Sequence, residues 1–227
     1  MTATEKKTGY HHGNLREALL DTALQALKTE SLDSLSLRGL AKSLGVSPTA
    51  VYGHFADKTA LLIELRTLGF QQLSQHLQQA YDSTTDAEAR VRTLAYAYMN
   101  FGQQQTHLFD ALFTWVPELE RITPECIEAG NNSEAILQRA LVEMLRQCGE
   151  APTDHQAAIA SFSAWSLVHG ITLLMKSGCV EGAVYCGKWP EYFSAEHPQS
   201  QQPQIIEHLL TIELEGLKAA VKKLPPP

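Results

Sequence analysis

The segment LRGLAKSLGVSPTAVYGHFADK, residues 37–58, determines how the first part of the chain folds. Its apolar residues recur at the i, i+3, i+4, i+7 spacing of one helix face, at Leu37, Leu40, Ala41 and Leu44. Gly45 ends that helix, because glycine readily adopts the left-handed conformation of a helix stop. Ser47 before Pro48 is an N-cap followed by proline at the first helical position, which predicts a second short helix to about residue 55. Two short helices joined by a glycine-containing turn form a helix-turn-helix, whose second helix fits a DNA major groove.

The charge of the chain is unevenly distributed. The 227 residues carry a net charge of −7 at neutral pH. Residues 1–66 hold eight Lys and Arg against seven Asp and Glu, so the rest of the chain carries −8. An acidic surface is repelled by DNA, so the net charge argues against a protein that coats nucleic acid. The distribution favours a small site-specific DNA-binding module on an acidic body that faces away from the DNA.

Cysteine usage and the start of the sequence indicate a cytoplasmic protein. The four cysteines lie outside any CxxC pair, and their spacing fits neither a zinc site nor a dense disulfide framework. We therefore expect free thiols in a reducing compartment. The first residues show no charged segment followed by an apolar one, so no signal peptide is expected. The cysteines are Cys126, Cys148, Cys179 and Cys186.

Helix-capping patterns divide the first part of the chain. Residues 1–12 are expected to form a flexible arm. Asn14 to Glu17 has the spacing of a capping box and opens a first helix. Asp57 is expected to cap a long fourth helix that runs to about residue 81. The first three helices then form a DNA-binding head over residues 13–58.

The remaining residues, 59–224, are predicted to form a helical body for ligand binding and dimerisation. Helix starts are predicted at Thr85, Asn131, Thr153 and Pro203. Shorter helical pieces are expected within 106–128, and a packed loop, either without helix or with one helical turn, is expected within 178–202. No segment shows the alternation of a strand. The fold class is therefore all-α, a three-helix helix-turn-helix head on a helical body, with about nine or ten helices in total.

Residues 156–175 contain no Asp, Glu, Lys or Arg. A segment of this length without charges is long enough for a membrane span to be considered. Serine, threonine and histidine side chains spread around this helix argue against a span, and no second segment is as apolar. A helix that is apolar on all sides is otherwise buried in a protein core. We therefore expect a core helix and no membrane partner.

The last helix carries a wide apolar stripe with two interpretations. It is either a thick core within one chain or part of a four-helix interface between two copies. One short recognition helix reads few base pairs, and helix-turn-helix proteins commonly bind as dimers, so the homodimer is favoured. The residues expected at the interface are Ile206, Leu210, Leu214, Leu217 and Val221.

The head resembles the N-terminal domain of TetR-type transcriptional regulators over roughly residues 11–66. The matching stretches are HGNLREALLDTALQAL and LSLRGLAKSLGVSPTAVYGHFADKTALLIEL. The segments TWVPE and AWSLVHGITLLMKSG resemble the subgroup whose body carries a Trp-x-x-x-His-Gly signature, here Trp165, His169 and Gly170. The resemblance implies an all-helical homodimer with one head per subunit and a body that often binds a small molecule and changes head spacing.

Base recognition is expected from few residues. Arg38 suits the commonest base-specific contact, arginine on guanine, although it also fits a solvated surface charge. Thr49 and Ala50 are best placed to touch base edges, but their side chains are small and cannot make a bidentate contact. Much of the specificity is therefore expected from Arg38, the arm and DNA shape.

Contacts with the DNA phosphates are expected from residues that neighbour the base-reading positions. Ser47 and Pro48 begin the second short helix, whose backbone amides suit a phosphate. The resemblance to TetR-type regulators implies that Tyr52 and His54 contact the sugar-phosphate backbone. Tyr52 is also suited to partial core packing. Lys58 adds a cation at the start of the fourth helix.

A set of large or amphipathic residues on the body helices suits either core packing or an apolar pocket with a few polar tips. For any single member, the core interpretation is the simpler one. No catalytic motif, metal-ligand pair or cofactor-binding loop is recognised, so we expect no enzyme activity, no metal and no cofactor. The candidate pocket residues are Tyr96, Met99, Phe109, Phe113, Trp115, Phe162, Trp165 and His169.

Taken together, these features predict a dimeric DNA-binding regulator that a small-molecule effector releases from its operator. A repressor is favoured over an activator. Two other interpretations stay open. One is a ligand-independent DNA-binding protein that acts through a protein partner, which a body without a sizeable cavity would favour. The other is an enzyme or carrier with a vestigial head.

Overall fold

The computed structural model describes residues 15–223, and all regular structure in that range is helical. Ten α-helices occur in the described part of the chain, together with 3₁₀ turns at Leu119–Arg121, Glu191–Phe193 and Val221–Lys223. The predicted all-α class is therefore confirmed. The arm at 1–12 and the Asn14 cap lie outside the described residues. The helices are α1 Leu15–Ala26, α2 Leu37–Leu44, α3 Pro48–Tyr52, α4 Lys58–Asp82, α5 Ala87–Gln104, α6 Thr106–Phe113, α7 Pro124–Gln147, α8 Asp154–Lys176, α9 Cys179–Tyr185 and α10 Gln202–Ala220.

Local capping shapes the helix-turn-helix as the sequence predicts. The Ser36 side chain accepts a hydrogen bond from the Gly39 amide and begins α2. Gly45 ends α2 in the left-handed conformation, with φ of 67°. The Ser47 side chain then accepts from the Ala50 amide and begins α3, which is shorter than predicted and ends at Tyr52. These caps fix the turn between α2 and α3 independently of the body.

The head packs around its own apolar residues and joins the body through α4. The core of the head contains fully buried Leu19, Val51 and Phe55. The Asp57 side chain accepts from the Ala60 amide and begins α4, as predicted. Since α4 runs 25 residues without a break, one helix extends from the head into the centre of the body.

In the body, α5, α6 and α7 pack against α4, and α8 packs against α5 and α7. Two glycines permit close helix packing. A Cβ added at Gly69 of α4 would lie 2.4 Å from a methyl carbon of Leu112, and one added at Gly102 of α5 would lie 2.4 Å from the Thr172 side chain. A larger residue at either position would require these neighbouring side chains to shift in a close-packed interior.

Two predicted helix starts are wrong. A single helix, α7, begins at Pro124 with a Thr123 cap, so Asn131 lies within it and does not start a helix. The cap of α5 is Asp86 and not Thr85, because the Asp86 carboxylate accepts from the Ala89 amide. By contrast, the Thr153 capping box of α8 is confirmed, with both reciprocal hydrogen bonds present.

Helix α8 is only partly buried by its own chain. By length and composition it is the one helix of the described residues that would suffice to cross a membrane, and 28% of its most apolar window is buried. The expectation of a helix buried on all sides is therefore wrong for the single chain. Its inward face is made by Ala157, Ala160, Ser161, Ala164, Val168 and Thr172.

Candidate functional site

The exposed side of the head contains most of the residues predicted to contact DNA. Arg38, Ser47, Pro48 and Thr49 are exposed, and Ala50 is half-buried. These residues lie at the start of α2 and at the start of α3, which is the end of a recognition helix that reaches base edges. The structure therefore leaves the predicted base-reading positions free for a DNA partner.

The end of α3 and the start of α4 flank this surface. Tyr52 is 47% exposed, and His54 is exposed in the turn that follows α3. The Lys58 ammonium donates a hydrogen bond to the backbone carbonyl of Asp33 at 3.1 Å, so it is held near the α1–α2 connection in the free chain. To bind a DNA phosphate, the Lys58 ammonium has to give up only this hydrogen bond to a neutral carbonyl oxygen.

The body contains a cavity of about 360 Å³, partly open to solvent, between α4, α5, α7, α8 and α10. This volume lies at the lower end of the range of small-molecule sites, which is about 300–1,000 Å³. Most of its wall is apolar. The interior lining includes Phe70, Leu73, Leu94, Tyr98, Phe113, Trp165, Val168, Leu210 and Leu214.

Two aromatic residues of the wall, Tyr98 and Trp165, form a hydrogen-bonded unit with His169. The Trp165 indole donates to the Tyr98 hydroxyl at 3.2 Å, and that hydroxyl shares a hydrogen bond of 2.8 Å with Nδ1 of His169. Burial raises the pKa of Tyr98 and lowers the pKa of His169, so both groups are neutral at neutral pH. The unit fixes the orientation of the Trp165 ring at the cavity.

Arg66 lies in the cavity wall on the head side of α4. It donates to the carbonyl oxygens of Trp115 at 2.9 Å and Ala111 at 3.5 Å, at the end of α6. Its guanidinium also lies over the Phe70 ring, 5.4 Å from the centroid. Burial lowers its pKa. Arg66 therefore connects α4, the cavity and the end of α6.

Two family models match the chain, one in each part. Residues 19–65 match the model described as "Bacterial regulatory proteins, tetR family". Residues 91–182 match the model described as "Tetracyclin repressor-like, C-terminal domain". The chain has the head and the body of a TetR-type regulator. The helix-turn-helix described above lies within the first of these matches.

Individual relatives of this TetR-type chain are distant. An uncharacterized HTH-type transcriptional regulator of Haemophilus influenzae is 31% identical over 98 residues, which are 43% of this chain and 48% of that protein. The chain thus spans about half the length of that relative. The nucleoid occlusion factor SlmA of Escherichia coli is 27% identical over 160 residues, 69% of this chain and 80% of that protein.

A solved structure resembles the whole TetR-type chain. A protein of unknown function from Rhodococcus sp. RHA1 has a TM-score of 0.73 and 29% sequence identity. The match covers 93% of this chain and 100% of that one. It supports the joint arrangement of the head and the body.

The structure brings only part of the predicted pocket set to the cavity. Phe113, Phe162 and Trp165 line it. Met99 and Phe109 are buried core residues, and His169 does not line the cavity but is bonded to Tyr98, which does. Tyr96 points away and donates to Glu207 at 2.8 Å, and Trp115 is half-buried beside Arg66. Sequence reasoning missed Tyr98, Arg66 and Ser161.

The residues predicted for the dimer interface require correction. All five are buried inside the chain, with exposed fractions between 2% and 8%: Ile206, Leu210, Leu214, Leu217 and Val221. They pack in the chain's own core, so they are not available to a second copy. The outward face of α10 instead carries Leu209, Ile212 and Gly216, beside half-buried Ile205.

All four cysteines are free, as expected, and only Cys126 is buried. Among residues 15–223, no cluster of three or more His, Cys, Asp or Glu side chains is arranged to hold a metal ion.

Proposed function

We propose that the chain is a homodimeric transcriptional repressor that a small-molecule effector releases from its operator DNA. The observation that carries the proposal is the cavity of about 360 Å³ in a body joined by one continuous helix to an exposed helix-turn-helix. We keep the division into a head at 13–58 and a body at 59–224, and the assignment of the body to the Trp-x-x-x-His-Gly subgroup. The location is cytoplasmic.

Two outward apolar helix faces support the homodimer. On α10, Ile205, Leu209, Ile212 and Gly216 follow steps of four, three and four residues, which is one helix face. On α8, the outward face includes Phe162, Leu173 and Leu174. Exposed apolar residues that are clustered on one face are typical of an interaction site.

Glycines on both helices suit close packing of two copies. A Cβ added at Gly170 of α8 or Gly216 of α10 would meet nothing within 4 Å in the single chain. Small residues there let partner helices approach closely, toward the lower end of the 8–10 Å typical of packed helices. A two-fold axis that pairs α8 and α10 with their copies gives a self-complementary four-helix interface. The partly buried α8 is then covered by protein and not by lipid.

Helix α4 supplies the connection between effector and DNA. Its first residue, Lys58, borders the recognition surface, and Arg66, Phe70, Leu73 and Leu77 line the cavity. A molecule in the cavity contacts α4 directly, so it favours one position of α4 and one spacing of the two heads. Its effect on DNA affinity is limited to its differential affinity for the two states.

The cavity weighs against the ligand-independent alternative, which would be favoured by a body without space for a metabolite. The enzyme or carrier alternative stays less favoured because no catalytic motif is recognised in the sequence. Turnover of a molecule bound in the body, without DNA binding at moderate salt, would support it.

Recovery of genomic DNA fragments bound to the purified protein tests the proposal. We expect a few fragments to be enriched strongly, with paired half-sites about one or two helical turns apart. Enrichment of all genomic DNA alike would contradict a site-specific regulator. A single unpaired half-site at every fragment would contradict the homodimer.

A further inference from the structure

One polar group in the cavity wall has no partner in its own chain. Ser161 on α8 is 1% exposed and lines the cavity. Among the buried side chains of residues 15–223, its hydroxyl oxygen is the one without a hydrogen bond. A buried hydroxyl without a partner is unfavourable, and native proteins rarely retain one without a reason.

The other polar groups of the wall are already engaged. The Tyr98 hydroxyl is bonded to Trp165 and His169. The Ser133 hydroxyl is bonded to Ser74 at 2.7 Å. Ser161 is thus the hydroxyl that is left to recognise a ligand.

Three of the four charged residues that line the cavity have hydrogen-bond partners as well. Arg92 is paired with Glu88 at 2.7 Å and with Glu207 at 2.6 Å. Glu213 accepts a hydrogen bond from Ser163 at 2.7 Å. Arg66 is directed to the carbonyl oxygens at the end of α6, and Glu134 is exposed at the rim. Inside the wall, a charged ligand would therefore have to displace one of these hydrogen bonds in addition to losing its own hydration.

The aromatic wall indicates the shape of the occupant. Phe113 and Trp165 lie with ring centroids 6.2 Å apart, and Tyr98 lies 5.8 Å from Phe113. Rings at these separations accept a further aromatic or branched apolar group by edge or offset contacts. The lining of α4 from Arg66 to Leu77 extends over about 16 Å at 1.5 Å per residue, so an elongated molecule fits along it.

From these observations we infer that the effector is an uncharged, largely apolar molecule with one oxygen acceptor, a carbonyl or a hydroxyl, that receives a hydrogen bond from Ser161. This inference rests on the proposed function for its role as effector, but the binding site itself does not depend on DNA. Ser161 then determines which apolar molecules the cavity selects.

Three probes with a common scaffold test the inference: butylbenzene, butyrophenone and phenylbutyrate. They present no oxygen, one carbonyl and one carboxylate. Their dissociation constants are measured by calorimetry on the full-length protein, on Ser161→Ala and on Ser166→Ala. Ser166 is a matched control, because it lies on the same helix, is exposed and donates to the Phe162 carbonyl.

We expect butyrophenone and butylbenzene to bind and phenylbutyrate to bind at least about tenfold more weakly than butyrophenone, because its charge must be desolvated. The preference for butyrophenone over butylbenzene should fall roughly 3- to 10-fold in Ser161→Ala, the effect of one hydrogen bond. It should be unchanged in Ser166→Ala. The free Ser161→Ala protein should also unfold at a higher temperature, because a buried unpaired hydroxyl is removed.

Tighter binding of phenylbutyrate than of butyrophenone would overturn the uncharged class. An unchanged preference in Ser161→Ala, or no binding of either neutral probe, would overturn the role of Ser161. Failure of the proposed function can be distinguished from failure of this inference. If butyrophenone binds through Ser161 but no cell extract alters DNA binding, the binding site is supported and its role as an effector site is contradicted. If extract releases DNA and neither neutral probe binds, the regulator stands and the inferred class falls.

Discussion

Arg121, in the connection between α6 and α7, donates hydrogen bonds of 2.8 and 2.9 Å to the two carboxylate oxygens of Asp57. Asp57 is at the same time the cap of α4, where its side chain accepts from the Ala60 amide at 2.8 Å. A residue of the body therefore holds the residue that begins the helix shared by head and body. The Arg121 hydrogen bonds, followed by the Ala60 amide, hold the pKa of Asp57 below the ordinary value of an aspartate.

Substitution of Asp57 separates its two roles. Asp57→Ala should lower the free energy of unfolding by about 1 kcal/mol, because the cap is lost. Asp57→Asn caps about as well and should stay within a few tenths of a kcal/mol, although its charge is gone. Urea unfolding of both variants checks this. Equal losses in the two variants would place the effect in the contact with Arg121 and not in the cap.

The same pair predicts a contribution to acid stability. The folded pKa of Asp57 is below the unfolded value, so the pairing stabilises the fold fully above the unfolded pKa and is lost as the pH falls through the folded pKa. Arg121→Ala should therefore reduce stability at neutral pH slightly and converge with the wild type in strong acid. A difference that grows toward low pH would contradict this sign.

His169 predicts a second pH effect with a different window. Burial lowers its folded pKa below 6.5, so the unfolded chain binds the proton more readily. Stability contributed by neutral His169 is present above pH 6.5 and declines as the pH falls from there toward the folded pKa. In His169→Asn, the free energy of unfolding should vary less between pH 7 and pH 5 than in the wild type. An unchanged pH dependence would exclude His169 as its source.

Ile212 offers a direct test of the outward face of α10. Its side chain is 69% exposed in the single chain, so Ile212→Glu should leave the fold intact and convert dimers to monomers. Leu119→Glu is a matched control, because Leu119 is 77% exposed and lies outside α8 and α10. Light scattering gives the mass in solution. A dimer that survives Ile212→Glu, or is lost equally in Leu119→Glu, would place the interface elsewhere.

Phosphate contacts are expected to affect all DNA sequences alike. Lys58→Ala should weaken binding to specific and unrelated DNA by similar factors and reduce the slope of log affinity against log salt by about one. Tyr52→Ala should weaken binding similarly, whereas Tyr52→Phe keeps the ring and removes only the hydroxyl. Lys188→Ala, in an exposed part of the body, is the control. A change in base preference with unchanged general affinity would show that these residues read bases.

The head was predictable because its signals are local. Ser47 and Pro48 act within one turn of α3, and the conformation of Gly45 is set by its own missing side chain. The start of α7 was missed although Thr123, Pro124 and Glu125 form a good start pattern. Asn131 and Asn132 have the composition of a cap, but they are exposed within α7, where packing of the opposite face outweighs their low helix propensity.

The cavity was less predictable, because it depends on contacts between distant segments. Tyr96 and Tyr98 are two positions apart on α5, so they point to nearly opposite sides, and the sequence does not show which side faces the cavity. No sequence pattern identifies Ser161, because it is distinguished only by a buried hydroxyl that has no hydrogen-bond partner in the fold. On α10, the stripe at Ile206 and Leu210 and the stripe at Leu209 and Ile212 are both apolar. Only the fold shows that the first faces inward.

The most direct test of the account uses an operator recovered from genomic DNA and a cavity that has been filled. Leu137 is half-buried in the cavity wall, so Leu137→Trp should occupy the effector's space, and Leu119→Trp at the exposed surface is its control. Operator binding is measured by fluorescence anisotropy while a small-molecule extract of the cells is added. We expect the extract to release the wild type and Leu119→Trp from DNA but to leave Leu137→Trp bound. Release of all three proteins alike, or of none, would contradict control of DNA binding through this cavity.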